Sequence, residues 1–177
     1  ETSKVDAAIL FDWEPNIKDI KQAFSGGGKL TVKKIHPDPK TGKYDLQGTK
    51  GTKLDWELVP GGEKYLVEGK VTGPRALNAC GLDALLFDPR GKWGVAALRT
   101  IGAGVLFNTT NYEPVYVMLS PKGEADYKKL KQVDKDTWEV EIPKVTAYAH
   151  QAGFAPDGKH FVIINAIMQN NVMVYDS

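Results

Sequence analysis

Two polar side chains stand at matching places beside a phrase that this sequence contains twice. The phrase reads Phe-Asp-Pro-Arg-Gly-Lys-Trp at residues 87–93 and Phe-Ala-Pro-Asp-Gly-Lys-His at residues 154–160. Asp83 precedes the first copy by four residues, and His150 precedes the second copy by four residues. Carboxylate and imidazole groups together suit divalent transition metals such as Cu(II). If the two positions are equivalent in the fold, the pair predicts half of a metal site.

Each of these two residues also has a purely structural interpretation. Asp83 lies in the apolar run Leu82–Phe87, where an acid is costly unless it is paired, bound to a metal or satisfied by backbone N–H groups. His150 is surrounded by small residues within 146–153, which leaves room for a ligand to approach. Histidines also cap strands and bond to backbone carbonyls, so this alternative stays open at the level of sequence.

Glu57 is the candidate for acid–base chemistry. It stands between a tryptophan and a leucine, and such apolar neighbours raise the pKa of a carboxyl group. A plain surface carboxylate is the alternative. Cys80, the single cysteine, is expected to be a buried and inert thiol, and it excludes both an internal disulfide framework and a cysteine-rich zinc site.

The other two histidines have a simpler interpretation. His160 follows the second Gly-Lys turn, in the place that Trp93 holds in the first copy, so we expect a turn or packing residue. His36 lies beside Pro37 in a Pro- and Gly-rich stretch and is expected to be exposed.

The repeated phrase predicts the fold class. Each copy joins two apolar strands through a tight turn, because Pro presets one turn angle and Gly permits a positive φ. Repeated hairpins of this kind are typical of β-propeller blades, so the sequence predicts an all-β fold that forms part of a β-propeller. We expect strands at 5–12, 29–35, 64–71, 83–87, 93–98, 114–119, 138–142, 152–154, 160–167 and 171–176.

Short helical insertions are expected between these strands. The two copies lie 67 residues apart, more than the roughly 40–50 residues of one blade. The Ala/Leu/Lys-rich segment 123–131 predicts an exposed helix that explains the excess, and 16–24 has helical spacing of its apolar residues. In a propeller, the first strand of each blade faces the central channel, which would place Asp83 and His150 there.

The expected organisation is one domain with three unequal parts. Residues 1–76 would form an irregular blade with a long excursion at 36–54, 77–142 a blade with the helical insertion, and 143–177 the start of the next blade. Both ends break off near strands, so we expect this chain to be a piece of a larger propeller.

Bulk properties restrict the partners. The net charge of +1 comes from 23 basic and 22 acidic side chains, which gives no electrostatic case for nucleic acid or an anionic membrane. The chain contains no apolar stretch of transmembrane length.

The segment around His150 resembles a family of copper enzymes. Ala149-His-Gln-Ala-Gly-Phe-Ala-Pro-Asp-Gly-Lys-His-Phe-Val162 resembles the blade of nitrous oxide reductase in which a copper-binding histidine precedes a Pro-Asp-x-Lys turn. The stretch from Leu77 to Asp83, with the Gly-Lys-Trp turn that follows, resembles the preceding blade. Because the expected Pro-His-Gly is Ala-His-Gln here, the chain is closer in character to the thiocyanate dehydrogenase family on the same seven-bladed propeller. The resemblance covers about residues 77–177.

This resemblance implies a copper-dependent oxidation of thiocyanate to cyanate and sulfur at a three-copper centre in the propeller channel. Asp83 and His150 would be copper ligands, Glu57 would orient or deprotonate the attacking water, and the remaining ligands would lie outside this chain. A small inorganic anion as substrate, an electron acceptor such as a cytochrome c and a periplasmic location follow from the same resemblance, and a homodimer is compatible with it. A non-catalytic propeller scaffold for binding and nitrous oxide reduction itself are the two alternatives.

Overall fold

The structure is a computed structural model that describes residues 8–15, 27–43, 66–67, 70–71, 82–99, 101–119, 126–144, 148–166 and 171–176. Within these ranges every regular element is a strand. No described helix is long and apolar enough to cross a membrane.

Fourteen strands account for most of the described residues. They are β1 (Ala8–Pro15), β2 (Gly28–Ile35), β3 (Leu66–Val67), β4 (Lys70–Val71), β5 (Leu82–Phe87), β6 (Trp93–Leu98), β7 (Ala103–Asn108), β8 (Pro114–Leu119), β9 (Asp126–Lys129), β10 (Lys131–Asp134), β11 (Thr137–Ile142), β12 (Tyr148–Phe154), β13 (His160–Ala166) and β14 (Asn171–Asp176).

These strands form three larger antiparallel sheets and one two-residue hairpin, β3–β4. The first sheet has the order β1-β2-β11-β10, the central sheet is the meander β5-β6-β7-β8-β9, and the third sheet is the meander β12-β13-β14. The first sheet is discontinuous in sequence, because the five strands of the central sheet lie between β2 and β10 along the chain, apart from the short β3–β4 hairpin. The all-β prediction is therefore confirmed.

The middle strands of the central sheet, β6 and β7, are buried on both faces, whereas the edge strand β5 exposes Leu82, Leu85 and Phe87. Along β6, Ala96 and Leu98 belong to a core shared with the first sheet, whereas Val95 and Ala97 belong to a core shared with the third sheet. Successive side chains of a strand point to opposite faces, so a continuous apolar run is what a strand between two sheets requires. Trp13 and Trp138 are the largest side chains that the first sheet contributes to its core.

The two copies of the repeated phrase form the same turn. In the first copy, the Asp88 N–H donates to the Trp93 carbonyl over 2.8 Å and the Gly91 N–H donates to the Asp88 carbonyl over 2.7 Å. In the second copy, Ala155 and His160 are joined over 2.9 Å, and the Gly158 N–H donates to the Ala155 carbonyl over 2.9 Å. Both glycines have positive φ, 71° and 64°. The prediction that both phrases are tight hairpin turns is confirmed.

The helical insertion predicted at 123–131 is wrong where the structure describes it. Residues 126–129 are strand β9 and residue 131 begins β10. β9 pairs with β8, with Val117 opposite Lys128 and Leu119 opposite Asp126. Helix propensity differs by only a few tenths of a kcal/mol between residues, and the unpaired edge of β8 outweighs it here.

Several other expectations can be compared with the described strands. Strands 93–98, 114–119 and 171–176 occur as predicted, whereas β7, a buried strand at 103–108, was missed. The predicted 64–71 strand is represented by two short pieces, 66–67 and 70–71. The helix expected at 16–24, residues 44–54 of the excursion, Glu57 and Cys80 lie outside the described residues.

Candidate functional site

Asp83 and His150 lie on the first strands of two neighbouring sheets. β5 is the first strand of the central sheet, β12 is the first strand of the third sheet, and β12 packs against β5 and β6. The sequence predicted that these two side chains would meet across adjacent units, and the structure brings them together. Nδ1 of His150 lies 3.5 Å from Oδ2 of Asp83.

Each of the two residues occupies a β-bulge. In β5, Leu82 is opposite Leu98 and Ala84 is opposite Ala97, so Asp83 is the extra residue between two consecutive partners. In β12, Ala149 is opposite Asn165 and Gln151 is opposite Ile164, so His150 is the extra residue in the same way.

The two bulges affect the direction in which these polar side chains point. A bulge re-aims a side chain and is over-represented beside active sites and sheet edges. Asp83 keeps 28 % of its side-chain surface exposed and His150 keeps 44 %. The pair is therefore accessible to a ligand while its backbone is fixed in two packed sheets.

The donor set of this pair fits part of a copper site. Ligand atoms on a divalent first-row metal lie about 2.0–2.2 Å from the ion, so two atoms that share one ion are at most about 4 Å apart. The 3.5 Å separation satisfies this limit, and one imidazole nitrogen with one carboxylate oxygen suits Cu(II). Among the described residues, no group of three or more His, Cys, Asp or Glu side chains could hold a metal ion, so the pair supplies two donors only.

His160 is a turn residue, as predicted. Its Nδ1 lies 2.6 Å from Oδ2 of Asp157, and its Nε2 lies 3.2 Å from Oδ1 of Asp176. The two carboxylates contact opposite nitrogens of the ring, so the three groups bridge the turn and the last strand and do not converge on one point. The backbone N–H of Lys159, and then the imidazole of His160, hold the pKa of Asp157 below its usual range.

His36 is exposed, also as predicted. Its Nε2 lies 3.2 Å from Oδ1 of Asp136, which joins the segment after β2 to the β10–β11 turn. The side chains of His36 and Asp136 are 47 % and 33 % exposed, close to the values for His150 and Asp83. This second histidine–aspartate pair lies outside any bulge and is a natural control for the first.

Besides the Asp83–His150 pair, a second polar contact joins the central and third sheets, and it lies between the two repeated turns. Asp88 is 3 % exposed, and its Oδ1 accepts from the Arg90 N–H over 3.0 Å. Nε of Arg90 lies 3.5 Å from Oδ2 of Asp88, and its Nη2 donates to the carbonyl oxygen of Gly158 in the other turn. The Asp88–Arg90 pair therefore holds the two turns side by side at one end of the sheets.

Sequence reasoning missed two features that shape the possible sites. The bulges at Asp83 and His150 carry no signal of residue type, because any residue can be the extra one in a strand. The loop between β7 and β8 was noted only for Asn108-Thr-Thr110, which matches a glycosylation sequon. Its second asparagine, Asn111, and the unusual positive φ of 59° at Tyr112 indicate a constrained loop.

No protein-family model matches this chain, and no curated protein matches it.

Proposed function

We propose that this chain is part of a copper-dependent oxidoreductase in which Asp83 and His150 are metal ligands. The observation that carries the proposal is the pair of equivalent bulges, which presents one carboxylate and one imidazole 3.5 Å apart on adjacent first strands. A bulge in the same place of two repeated units is hard to explain by packing, since it interrupts the hydrogen-bond ladder of each sheet.

A seven-bladed β-propeller is the architecture that we propose for the whole protein. Three antiparallel sheets share two apolar cores, and the central sheet contributes to both. β12 packs on β5, and Ile9 and Phe11 of β1 line one pocket with Leu85 and Phe87 of β5. Successive blades of a propeller pack in this way around a central channel. In that arrangement the Asp83–His150 pair would face the channel.

Oxidation of thiocyanate is the reaction that we propose for this site. The balanced half-reaction converts thiocyanate and one water into cyanate, sulfur, two protons and two electrons. Copper, when bound, supplies the electron acceptor and lowers the pKa of a bound water. Asp83 and His150 would fix the position of the ion, and Glu57 would orient the attacking water and accept its proton.

Further ligands must complete such a centre, because the chain contains only three histidines and the other two contact different carboxylates, those of Asp136 and Asp157. We propose that the missing imidazoles come from outside this chain. A periplasmic location and an electron acceptor such as a cytochrome c belong to the same proposal.

Copper content of the intact native protein tests the proposal. We expect elemental analysis to find copper near three ions per chain, with His150→Ala and Asp83→Ala each lowering that value and abolishing thiocyanate oxidation. Electron paramagnetic resonance of the Cu(II) form gives a second measurement that does not depend on turnover, since the loss of one nitrogen ligand changes its hyperfine pattern.

The matched control is His36→Ala, which removes an equally exposed histidine that also faces an aspartate. It should leave copper content and the resonance spectrum unchanged. Native protein without copper, or copper that is indifferent to both site variants, would contradict the proposal and leave a propeller scaffold without catalytic function.

A further inference from the structure

A second site candidate lies at the other end of the central sheet from Asp83. Asp83 is near Leu98 and the β6–β7 turn, whereas the β7–β8 loop is at the end where β6 begins. There a pocket of about 650 Å³ opens between the central and first sheets. This volume is within the range of small-molecule sites, roughly 300–1,000 Å³.

The β7–β8 loop contributes two side-chain amide groups to the lining of this pocket, and hydrogen bonds define the orientation of each. Oδ1 of Asn108 accepts from the Thr110 N–H over 2.7 Å, and Oδ1 of Asn111 accepts from the Glu113 N–H over 3.1 Å. These two contacts fix which way each amide is turned, with its oxygen toward the backbone of the loop. The remaining polar atom of each amide, its NH₂ group, can only donate hydrogen bonds.

Two lysines add positive charge to the lining of the pocket. Lys129 ends β9 and Lys131 begins β10, and both side chains are exposed along the pocket rim. Glu113 is the single acid among the residues that line the pocket, so the lining carries a net charge of +1. Amide donors and ammonium groups in one lining favour hydrogen-bond acceptors with negative charge.

The floor of the pocket is apolar and rigid. Trp138 is 5 % exposed and packs in the core between the first and central sheets, and Pro114 is buried beside it.

We infer that this pocket binds a small organic carboxylate, with its anionic group between the asparagine amides and the two lysines and its apolar part over Trp138. The inference is independent of the copper site, because the two share no residue and lie at opposite ends of the central sheet.

Titration of the intact protein with benzoate, followed by calorimetry, tests the inference, and benzamide serves as the neutral analogue. We expect benzoate to bind and benzamide to bind at least about tenfold more weakly, since a charge-assisted hydrogen bond is roughly twice as strong as a neutral one. Raising the salt concentration should weaken the binding of benzoate only.

Four variants separate the contributions. Asn111→Asp keeps the acceptor for the Glu113 N–H but replaces the amide donor with a negative charge, so benzoate affinity should fall about tenfold or more with the fold unchanged. Lys129→Gln and Lys131→Gln should each weaken binding several-fold. Glu113→Gln removes the one acid and should tighten binding.

Lys128→Gln is the matched control, because Lys128 is a neighbouring lysine on β9 that does not line this pocket. It should leave the affinity for benzoate unchanged. The absence of benzoate binding would overturn the inference, as would equal affinity for benzamide or an Asn111→Asp variant that binds as tightly as the native protein.

Discussion

At the scale of single residues, two glycines in equivalent turns have different surroundings. Gly91 and Gly158 both have φ in the left-handed region, where a side chain is strained. A Cβ atom at Gly91 would meet nothing within 4 Å, whereas a Cβ atom at Gly158 would meet the guanidinium group of Arg90. A side chain therefore has free space in the first copy of the turn, whereas in the second copy it would collide with Arg90.

We expect Gly158→Ala to destabilise the protein more than Gly91→Ala. Each change costs about 1–2 kcal/mol for the left-handed backbone. Gly158→Ala also displaces Arg90 from the Gly158 carbonyl, which adds about 1 kcal/mol. Chemical denaturation of the two variants in parallel measures the difference. Equal losses of unfolding free energy would show that the Arg90 contact contributes nothing to stability.

The candidate metal ligands show how far residue-level prediction reached. The equivalence of Asp83 and His150 could be predicted from their common offset of four residues before each phenylalanine, and the structure brings the two side chains together. The bulges could not be predicted, because the continuous apolar run around Asp83 has no periodicity that an extra residue would interrupt. The amide groups of the β7–β8 loop were missed, although each asparagine accepts from the N–H two residues ahead, a local pattern that is common in turns.

At the scale of elements, β9 shows a local preference that tertiary structure overrides. Residues 126–131 favour a helix by composition, yet Tyr127 lies on an edge strand with its ring centroid 5.5 Å from that of Tyr116 on β8. The two rings meet edge to face, at an interplanar angle of 74°. Edge-to-face pairs contribute about 0.5–1.5 kcal/mol beyond the area they bury.

The substitution Tyr127→Ala distinguishes a helix from strand β9, because the change in unfolding free energy has opposite signs in the two. In a helix, alanine would stabilise the segment by a few tenths of a kcal/mol. In strand β9 the same change removes the contact with Tyr116, so we expect a loss of about 0.5–1 kcal/mol, at the lower end of the range because Tyr127 is 61 % exposed. The midpoint of urea unfolding reports the sign, and Val133→Ala, at an exposed position of β10, is the control.

At the scale of the whole molecule, one hydroxyl group joins the central and third sheets. The Tyr175 O–H on β14 donates to the Leu119 carbonyl on β8 over 2.8 Å, and its ring stacks on Phe161 at 5.6 Å. Burial, and then the charge of Asp126, raises the pKa of Tyr175. The phenol therefore stays protonated, and keeps its hydrogen bond, at pH values where a solvated tyrosine ionises.

We expect Tyr175→Phe to lower the unfolding free energy by about 1 kcal/mol, because it removes this hydrogen bond and keeps the stacked ring. Thermal unfolding followed by calorimetry gives the value. A variant as stable as the native protein would mean that the Tyr175 hydrogen bond contributes nothing to the interface between the two sheets.

The all-β class could be predicted because the alternation and the paired turns are local signals. The order of the first sheet could not, because the pairing of β2 with β11 joins segments about 100 residues apart. Such a connection leaves no trace in any window of sequence. The segments outside the described residues, Glu57 among them, leave the acid–base part of the predicted site untested.

That late pairing has a consequence for synthesis on the ribosome. β2 emerges early, but its second edge finds a partner only when β11 has been made, about 100 residues later. At roughly 5–20 residues per second this interval lasts on the order of 5–20 seconds. An unpaired edge is a template for aggregation, and lysines on an edge discourage it. We expect Lys29, Lys33 and Lys34 on β2 to discourage such aggregation of the nascent chain until β11 is available.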